Sequence, residues 1–330
     1  MRHPHGLKIV MGLLAAGALL RMLLGPAADD GGLRVALSVP TGDVLSLRAT
    51  AVLSAALVGA VLGLSGLALQ SLLRNPLASP FVLGLSSGAG FGVACVLVLG
   101  YLFAWTGAGL FESEVFGAVL GAALSLGIVS RFGRQTDGHA PTTLVLSGVI
   151  LGAIFSAGTA LLEHMVPFGL RGDLLSWMAG RLPELPSRGE LIAVFLAAVG
   201  GFAVLARRTQ ALDVSMLSDD EARSSGVNLR ALRGTLFWTG GILAGVAVAY
   251  AGPIGFVGLV GPHIARRLLG PRHAALVPGS ALAGAALLVL ADAARQAIDL
   301  GSGRLPVGVV TALAGGPFFL WLLRRGAWRA

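Results

Sequence analysis

The sequence predicts an all-α polytopic membrane protein, and three observations support that fold class. Of its 330 residues, 55% are hydrophobic and 12% are charged, about half the charged fraction of ordinary soluble chains. Apolar windows long enough to cross a bilayer recur along the whole chain. Apolar residues in these windows do not alternate as barrel strands require, so the spanning segments are predicted to be helices, which satisfy their own backbone polar groups.

Ten apolar segments are candidate transmembrane helices, and the basic residues indicate their orientation. When both termini are placed in the cytoplasm, the inside ends carry about twice as many basic residues as the outside ends, in agreement with the positive-inside rule. We therefore expect a single transmembrane domain over residues 1–330. The candidate helices are 7–25, 47–73, 77–104, 113–132, 142–163, 189–208, 231–250, 253–269, 275–296 and 307–323.

The first candidate helix has a second interpretation as a cleaved signal peptide. Residues 1–28 begin with basic residues and continue with an apolar stretch and small residues, as signal peptides do. Arg21 interrupts the apolar stretch, which favours retention as a transmembrane helix. We expect retention, with cleavage as the alternative.

A short polar break separates the second and third candidate helices. It contains Arg74, Asn75 and Pro76 within an otherwise apolar region. Asn is preferred just before a helix, and Pro suits the first helical position, where its missing N–H has no partner to lose. The pattern predicts a tight turn after which the third helix starts at once.

A weak internal repeat relates two parts of the chain. A shift of 186 residues aligns the second and third candidate helices with the seventh and eighth. The shift spans an odd number of helices, so the two copies would have opposite orientations, as in the inverted repeats of many transporters. The aligned pairs are Gly59 with Gly245, Gly66 with Gly252, Pro76 with Pro262 and Gly84 with Gly270.

The longest predicted cytoplasmic loop, residues 211–230, contains the signals of a short helix. Ser218 and Glu221 have the spacing of a capping box, in which each side chain satisfies a backbone N–H of the other residue. Asp219 and Asp220 would lie in the first turn, where negative charge favours the helix dipole. Gly226 suits a left-handed helix end. We predict a short polar helix at the membrane surface, which by composition alone is equally well an incidental loop helix.

The sequence argues against catalysis by this chain. A phosphate-binding P-loop requires G-x-x-x-x-G-K-[ST], yet the only lysine, Lys8, follows Leu7. One cysteine, Cys95, excludes an internal disulfide, and the six histidines lack metal-ligand spacing. The net charge of +8 indicates membrane orientation rather than a nucleic-acid partner. We expect no enzyme activity, metal or cofactor in this chain, and any nucleotide hydrolysis on another chain.

An ion-coupled secondary transporter is the alternative function from a different class. Such proteins place acidic residues near the bilayer midplane, where a charge costs about 2.5–3.5 kcal/mol and persists for function. Here the acidic residues fall in loops or at helix ends, and the two that come closest, Asp292 and Glu163, are expected near the outer face. This distribution disfavours ion coupling.

Five motifs are spread along most of the chain: RNPLASPFVLGLSSGAG (74–90), DDEARSSGVNLRALR (219–233), GPIGFVGLVGPHIARRLLG (252–270), LADAAR (290–295) and LPVGVVTALAGGPFFLWLL (305–323). Together they resemble the FecCD-type permeases of ABC importers, which carry iron–siderophore, haem and cobalamin complexes. The resemblance implies a type II ABC importer permease fold with ten helices per subunit, in the bacterial inner membrane. It implies import of an iron chelate, either a siderophore complex or haem, by alternating access at a homodimer interface, with cobalamin as the alternative substrate.

The same resemblance implies several partners. The second permease subunit would be an identical chain or a similar one. Two cytoplasmic ATPase subunits would bind ATP and Mg, and a periplasmic or lipoprotein substrate-binding protein would deliver the substrate at the outer face.

The resemblance also assigns roles to residues of this sequence. The short helix in residues 211–230 would be the coupling helix that docks on the ATPase, and the loop after the second helix, with the start of the fifth, would form a cytoplasmic gate. Two arginines at outer helix ends would receive acidic residues of the binding protein, although Ala51 replaces a second arginine that relatives carry near the first. The residues are Ser218, Asp219, Asp220, Glu221, Ala222, Arg223 and Gly226 for coupling, Asn75, Leu77, Thr142 and Thr143 for the gate, and Arg48 and Arg295 for docking.

Simpler interpretations stay open for some of these residues. Asn75, Thr142 and Thr143 also suit ordinary helix caps, and the two outer arginines also suit snorkelling at the membrane interface. For the substrate pathway, we expect small polar side chains on the fifth and tenth helices, namely Ser156, Thr159 and Thr311.

Overall fold

A computed structural model describes residues 4–29, 32–103, 113–135, 141–298 and 305–324. These residues are mostly helical, with one antiparallel hairpin in which Leu24 pairs with Leu37. In chain order the elements are α1 (Pro4–Leu23), β1 (Leu24–Asp29), β2 (Gly32–Leu37), α2 (Gly42–Leu73), a 3-10 helix (Pro80–Leu83), α3 (Leu85–Leu102), α4 (Glu114–Gln135), α5 (Pro141–Glu163), α6 (Phe168–Met178), α7 (Arg188–Ala206), α8 (Thr209–Val214), α9 (Asp219–Ser224), α10 (Leu229–Ala251), α11 (Val257–Leu269), α12 (His273–Ala297) and α13 (Val307–Arg324).

Eight of the described helices are long and apolar enough to cross a membrane, namely α1, α2, α3, α4, α5, α7, α10 and α12. The chain is therefore a multi-pass membrane protein, but ten full spans are not confirmed. The eighth candidate span, 253–269, contains the 13-residue helix α11, which rises about 20 Å at 1.5 Å per residue and falls short of a bilayer core of about 30 Å. The tenth candidate is α13, whose apolar part is Val307–Trp321.

Helix α2 lies at the centre of the bundle because small residues let other helices approach its backbone closely. A Cβ atom added at Gly63 would lie 2.1 Å from the carbonyl oxygen of Ser280 on α12, and one added at Gly66 would lie 1.6 Å from the carbonyl oxygen of Gly258 on α11. Ser65 donates a 2.6 Å hydrogen bond to the carbonyl of Gly240 on α10. Small residues and interhelical hydrogen bonds of this kind hold membrane helices together.

The bundle has two ends that differ in chemistry. At the first, which we call the hairpin end, α1 and α12 terminate, α2 begins and the β-hairpin lies against it. At the second, which we call the α9 end, α2 terminates and α12 begins; α8 contacts the start of α12, and α9 contacts the end of α2. Helices α2 and α12 are thus antiparallel and connect the two ends directly.

The predicted shift of 186 residues between the two copies of the inverted repeat is wrong. Helices α2 and α10 do run in opposite directions: α10 starts beside α9, where α2 ends, and Tyr250 near the end of α10 donates to Ser54 Oγ in the first half of α2 at 2.8 Å. However, Gly66 lies inside α2 whereas Gly252 caps the end of α10, and Pro76 lies in a turn whereas Pro262 lies inside α11. The shift of 186 residues therefore aligns positions with different local structures.

The polar break after α2 is longer than predicted. Asn75 does cap a turn, because its Oδ1 atom accepts from the backbone N–H of Leu77 at 2.9 Å, but that turn does not continue into a helix. Pro80 restricts the preceding residue, Ser79, to an extended conformation with φ −101° and ψ 147°. The 3-10 helix starts at Pro80, and α3 starts only at Leu85.

Candidate functional site

The predicted short helix exists as α9, and its N-terminal cap has the expected geometry. The backbone N–H of Glu221 donates to Ser218 Oγ at 3.3 Å, and the backbone N–H of Ser218 donates to Glu221 Oε2 at 3.0 Å. The side-chain and backbone hydrogen bonds from Ser218 lower the pKa of Glu221. Gly226 follows the helix with φ +82°, the left-handed conformation expected of a glycine at this place.

Asp219, the first residue of α9, joins this helix to two others. Its carboxylate accepts two hydrogen bonds from Arg233 Nη2 on α10, at 2.9 and 2.7 Å, and one from Arg74 Nη2 at the end of α2, at 2.6 Å. The hydrogen bond from Arg233 contributes most to lowering the pKa of Asp219, and Arg74 contributes further. The carboxylate is therefore held in its charged form between two guanidinium groups.

Arg74 contacts the α8–α9 segment at a second point. Its Nε atom donates to the carbonyl of Ser215, just after α8, at 3.0 Å. The backbone of Arg74 is left-handed, with φ +46°, and it caps α2 by donating its N–H to the carbonyls of Gln70 and Ser71. One residue thus ends α2 through its backbone and binds the segment before α9 through its side chain.

A third contact anchors α8 to α12 and α2. Asp213 Oδ1 accepts from the backbone N–H of His273 at 2.9 Å and from its Nδ1 atom at 2.7 Å. The other ring nitrogen, Nε2, lies 3.1 Å from Ser71 Oγ on α2, within hydrogen-bond distance of that hydroxyl. His273 is 1% exposed. The sequence does not indicate this contact, because no local pattern joins residues 60 and 202 positions apart.

The outward face of α9 combines charged and apolar side chains. Asp220 and Arg223 form an ion pair of 3.5 Å, and their side chains are 96% and 64% exposed. Met216 and Leu217, just before the helix, are about half exposed, whereas Ala222 is fully buried. The residues predicted to couple therefore divide into an anchoring side, with Asp219 and Ala222, and an exposed side, with Asp220 and Arg223; their coupling role stays a prediction.

The predicted gate residues lie on two neighbouring segments. Asn75 is exposed, and Leu77 packs against an apolar cluster that includes Val260 and Phe319. Thr142 and Thr143 start α5, which touches the chain after the polar break. Gly148 of α5 packs directly on the 3-10 helix. An added Cβ atom at Gly148 would lie 2.2 Å from the carbonyl oxygen of Val82 in that helix. Their role as a gate stays a prediction.

The two arginines predicted to dock the binding protein lie at the hairpin end and are buried. Arg48 Nη1 donates to the carbonyls of Met22, Leu23 and Ser38 at 2.7, 3.1 and 3.2 Å. Arg295 Nε donates to Asp292 Oδ1 at 2.5 Å. Neither arginine snorkels outward; both line one cavity of about 370 Å³. Their docking role stays a prediction.

The predicted pathway residues are not equally accessible. Ser156 on α5 is exposed, and its hydroxyl donates to Ser87 Oγ at 3.4 Å. Thr159 and Thr311 are buried, and their hydroxyls donate to the carbonyls of Phe155 and Gly308 in their own helices, both at 2.9 Å. Thr311 lines an apolar cavity of about 380 Å³ between α11, α12 and α13. Among the described residues, no group of His, Cys, Asp and Glu could hold a metal ion.

Comparisons with known proteins agree with this architecture. A model described as the FecCD transport family matches residues 31–325. The vitamin B12 import system permease protein BtuC of Salmonella typhi is 40% identical over 288 residues, 86% of this chain and 84% of that protein. BtuC of Citrobacter koseri is 39% identical over 284 residues, 85% of this chain and 82% of that protein.

Two solved structures share the fold. An inward-facing putative metal-chelate type ABC transporter superposes with a TM-score of 0.83 and 28% identity, and the match covers 98% of this chain and 99% of that chain. PsaBC from Streptococcus pneumoniae, solved with a Fab, superposes with a TM-score of 0.55 and 15% identity over 83% of this chain and 90% of that chain. The second match concerns the fold alone.

Proposed function

Because this chain belongs to the FecCD transport family, we propose that it is the permease of an ATP-driven importer for a metal chelate. The observation that carries the proposal is α9, a capped polar helix that is tied to α2 and α10 and turns charged side chains outward. Such a helix is a surface on which a second protein can act on the membrane bundle. The chain works as a pair with an identical or similar permease, and the substrate passes between the two subunits by alternating access.

ATP hydrolysis takes place on two separate ATPase subunits, and α9 is where each subunit docks. The only lysine is Lys8, so the sequence has no P-loop of its own. The outward face offers an acid and a base, Asp220 and Arg223, beside the half-exposed Met216 and Leu217. Interfaces commonly combine such an apolar centre with a polar rim. This docking places the α9 end, with both termini, in the cytoplasm.

The opposite end receives the substrate-binding protein. In this proposal, the hairpin end faces outward and presents a cavity that three arginines line, Arg21, Arg48 and Arg295. Arginine pairs well with carboxylates because its planar fork offers parallel donors. An acidic side chain of the binding protein would approach this cavity, and the gate of Asn75, Leu77, Thr142 and Thr143 would open at the other end.

The substrate is a metal chelate, and cobalamin is the first candidate. The support is the name of the relatives at about 40% identity, which import vitamin B12, a cobalt chelate. Iron chelates, as ferric siderophores or haem, are the second candidate, since the neighbour with a TM-score of 0.83 is described as metal-chelate type without a named metal.

Uptake into proteoliposomes tests this proposal. The permease, its ATPase subunit and its binding protein are reconstituted, and uptake of cobalt-labelled cyanocobalamin, iron-labelled ferric siderophores and iron-labelled haem is measured with and without ATP. We expect ATP-dependent uptake of one chelate. Uptake that follows a proton or sodium gradient without ATP would support the ion-coupled alternative and contradict the proposal.

A further inference from the structure

Arg74 lies between the gate residues and α9, the two parts of the chain that must move together in the proposed function. The next residues, Asn75 to Leu77, form the turn assigned to the gate, and the Arg74 side chain reaches the segment that contains α9. It is the residue through which the end of α2 contacts both Ser215 and Asp219.

The backbone at Arg74 indicates that its side chain is used. A residue that caps a helix with φ +46° is usually Gly, or sometimes Asn, because other side chains crowd the backbone there. An arginine accepts this crowding here while its guanidinium makes contacts that Gly and Asn cannot reach. Its Nε and Nη2 atoms bind two different points, Ser215 O at 3.0 Å and Asp219 Oδ1 at 2.6 Å, so the contact resists rotation as well as separation.

Asp219 is well placed to pass on a movement of α9. Its two bonds from Arg233 tie α9 to α10, and its single bond from Arg74 ties α9 to the start of the gate turn. The Arg74 and Asp219 side chains are each 33% exposed, so their pairing contributes little to the stability of the fold. The Arg74–Asp219 pair therefore serves mainly to hold α9 and the gate turn in a fixed relative position.

We propose that Arg74 is a positioning residue that transmits the movement of α9 to the gate turn through its contacts with Ser215 and Asp219. This proposal rests on the proposed function, because it assumes that the ATPase moves α9. When α9 shifts, the guanidinium follows both contacts, and the rigid C-cap of α2 carries the shift into Asn75 and Leu77.

The test replaces Arg74 with residues that separate the backbone from the side chain. Arg74→Asn keeps a residue that tolerates the left-handed conformation and removes both contacts. Arg74→Lys keeps the positive charge but loses the planar guanidinium group with its several donors. It can therefore keep at most one of the two contacts, with Ser215 or with Asp219. Arg233→Gln is the matched control, since it removes an arginine from the same carboxylate but leaves the gate turn connected to α9.

The gate turn is observed through Leu77→Cys in a Cys95→Ala background. Cross-linking of this cysteine between the two permease subunits is measured in the reconstituted transporter, with its ATPase and binding protein, in ADP and in ATP with vanadate. ATP hydrolysis stimulated by the binding protein is measured in parallel. Copurification of the ATPase subunit serves as the assembly check, and it reports on the proposed function independently of the gate.

We expect the parent and Arg233→Gln to change their cross-linking with nucleotide, whereas Arg74→Asn cross-links to the same extent in both states. Stimulated hydrolysis should fall about fivefold in Arg74→Asn, the factor that corresponds to about 1 kcal/mol for a partly exposed charge pair, and less in Arg74→Lys. If Arg74→Asn retains the nucleotide-dependent change, the linkage is overturned while the proposed function stands. If the parent fails to copurify with an ATPase subunit, or shows no change at Leu77→Cys, the proposed coupling or gate fails and the linkage fails with it.

Discussion

Arg21 on α1 and Asp292 on α12 form a buried ion pair at the hairpin end, in which Arg21 Nε donates to Asp292 Oδ2 at 2.5 Å. Arg295 donates to the other carboxylate oxygen, so one fully buried carboxylate lies between two guanidinium groups. The pair ties the first helix to the centre of the bundle. Removal of α1 would therefore take away one of the two partners of Asp292, and retention of residues 1–28 stays a prediction.

The first prediction concerns this ion pair. Arg21→Leu should lower the free energy of unfolding by about 1.5–3 kcal/mol, because the buried carboxylate of Asp292 loses one of its two charged donors and keeps only Arg295. Thermal unfolding in detergent measures the effect. Arg181→Leu is the control, since Arg181 pairs with Glu114 at 3.4 Å with its side chain 49% exposed, and exposed pairs contribute about 0–1 kcal/mol. Equal stability of the two variants would mean that Arg21 does not anchor α1.

The second prediction concerns the coupling helix. Ala222→Pro removes the hydrogen bond from Ala222 N to Ser218 O and should destabilise α9 by about 3 kcal/mol or more. The membrane bundle should still assemble, but binding-protein stimulation of ATP hydrolysis should disappear. Ala222→Gly is the matched control, because it changes the same buried position but keeps the backbone N–H that donates to Ser218 O and costs only about 1 kcal/mol of helix propensity. Normal stimulation in Ala222→Pro would remove α9 from the coupling pathway.

The third prediction concerns the outer arginines. Arg48→Gln should lower the free energy of unfolding by about 1–3 kcal/mol, because the charged Nη1 atom of Arg48 donates to three backbone carbonyls in partly buried hydrogen bonds, and hydrogen bonds to a charged group contribute about 1.5–3 kcal/mol. If Arg48 also receives an acidic side chain, capture of the binding protein at low salt should weaken more than in Arg181→Gln. Capture equal in both variants would show that Arg48 acts only within this chain.

The fourth prediction concerns pH. The pKa of Asp219 is lowered, chiefly by the hydrogen bond from Arg233, so the stability that its ion pairs supply is present above the unfolded pKa of about 3.9 and lost as pH falls through the lower folded value. Protection of the α9 amides from hydrogen exchange, corrected for intrinsic rates, should therefore stay constant from about pH 8 to pH 5. Loss of protection within that window, absent in Asp219→Asn, would contradict the ion-pair anchor.

The fold class and α9 could be predicted from the sequence because both depend on local patterns. Apolar length identifies spanning helices, and Ser218 with Glu221 specifies a cap within four residues. The start of α3 was mispredicted because Pro76 and Pro80 both suit a first helical position, and only the extended Ser79 decides between them. The pairing of Arg21 with Asp292 and of Asp213 with His273 depends on how distant helices pack, which a single sequence does not specify.

The most direct test of the account is whether an ATPase subunit contacts α9. In a Cys95→Ala background, Asp220→Cys places a thiol on a side chain that is 96% exposed, and Leu185→Cys places one at the hairpin end, where Leu185 is 80% exposed. Each is labelled with a short photoactivatable cross-linker in the assembled transporter. If α9 is the coupling helix, we expect a cross-link to the ATPase subunit from Asp220→Cys and none from Leu185→Cys. A cross-link from Leu185→Cys alone, or from neither site, would contradict the assignment of α9 as the coupling helix.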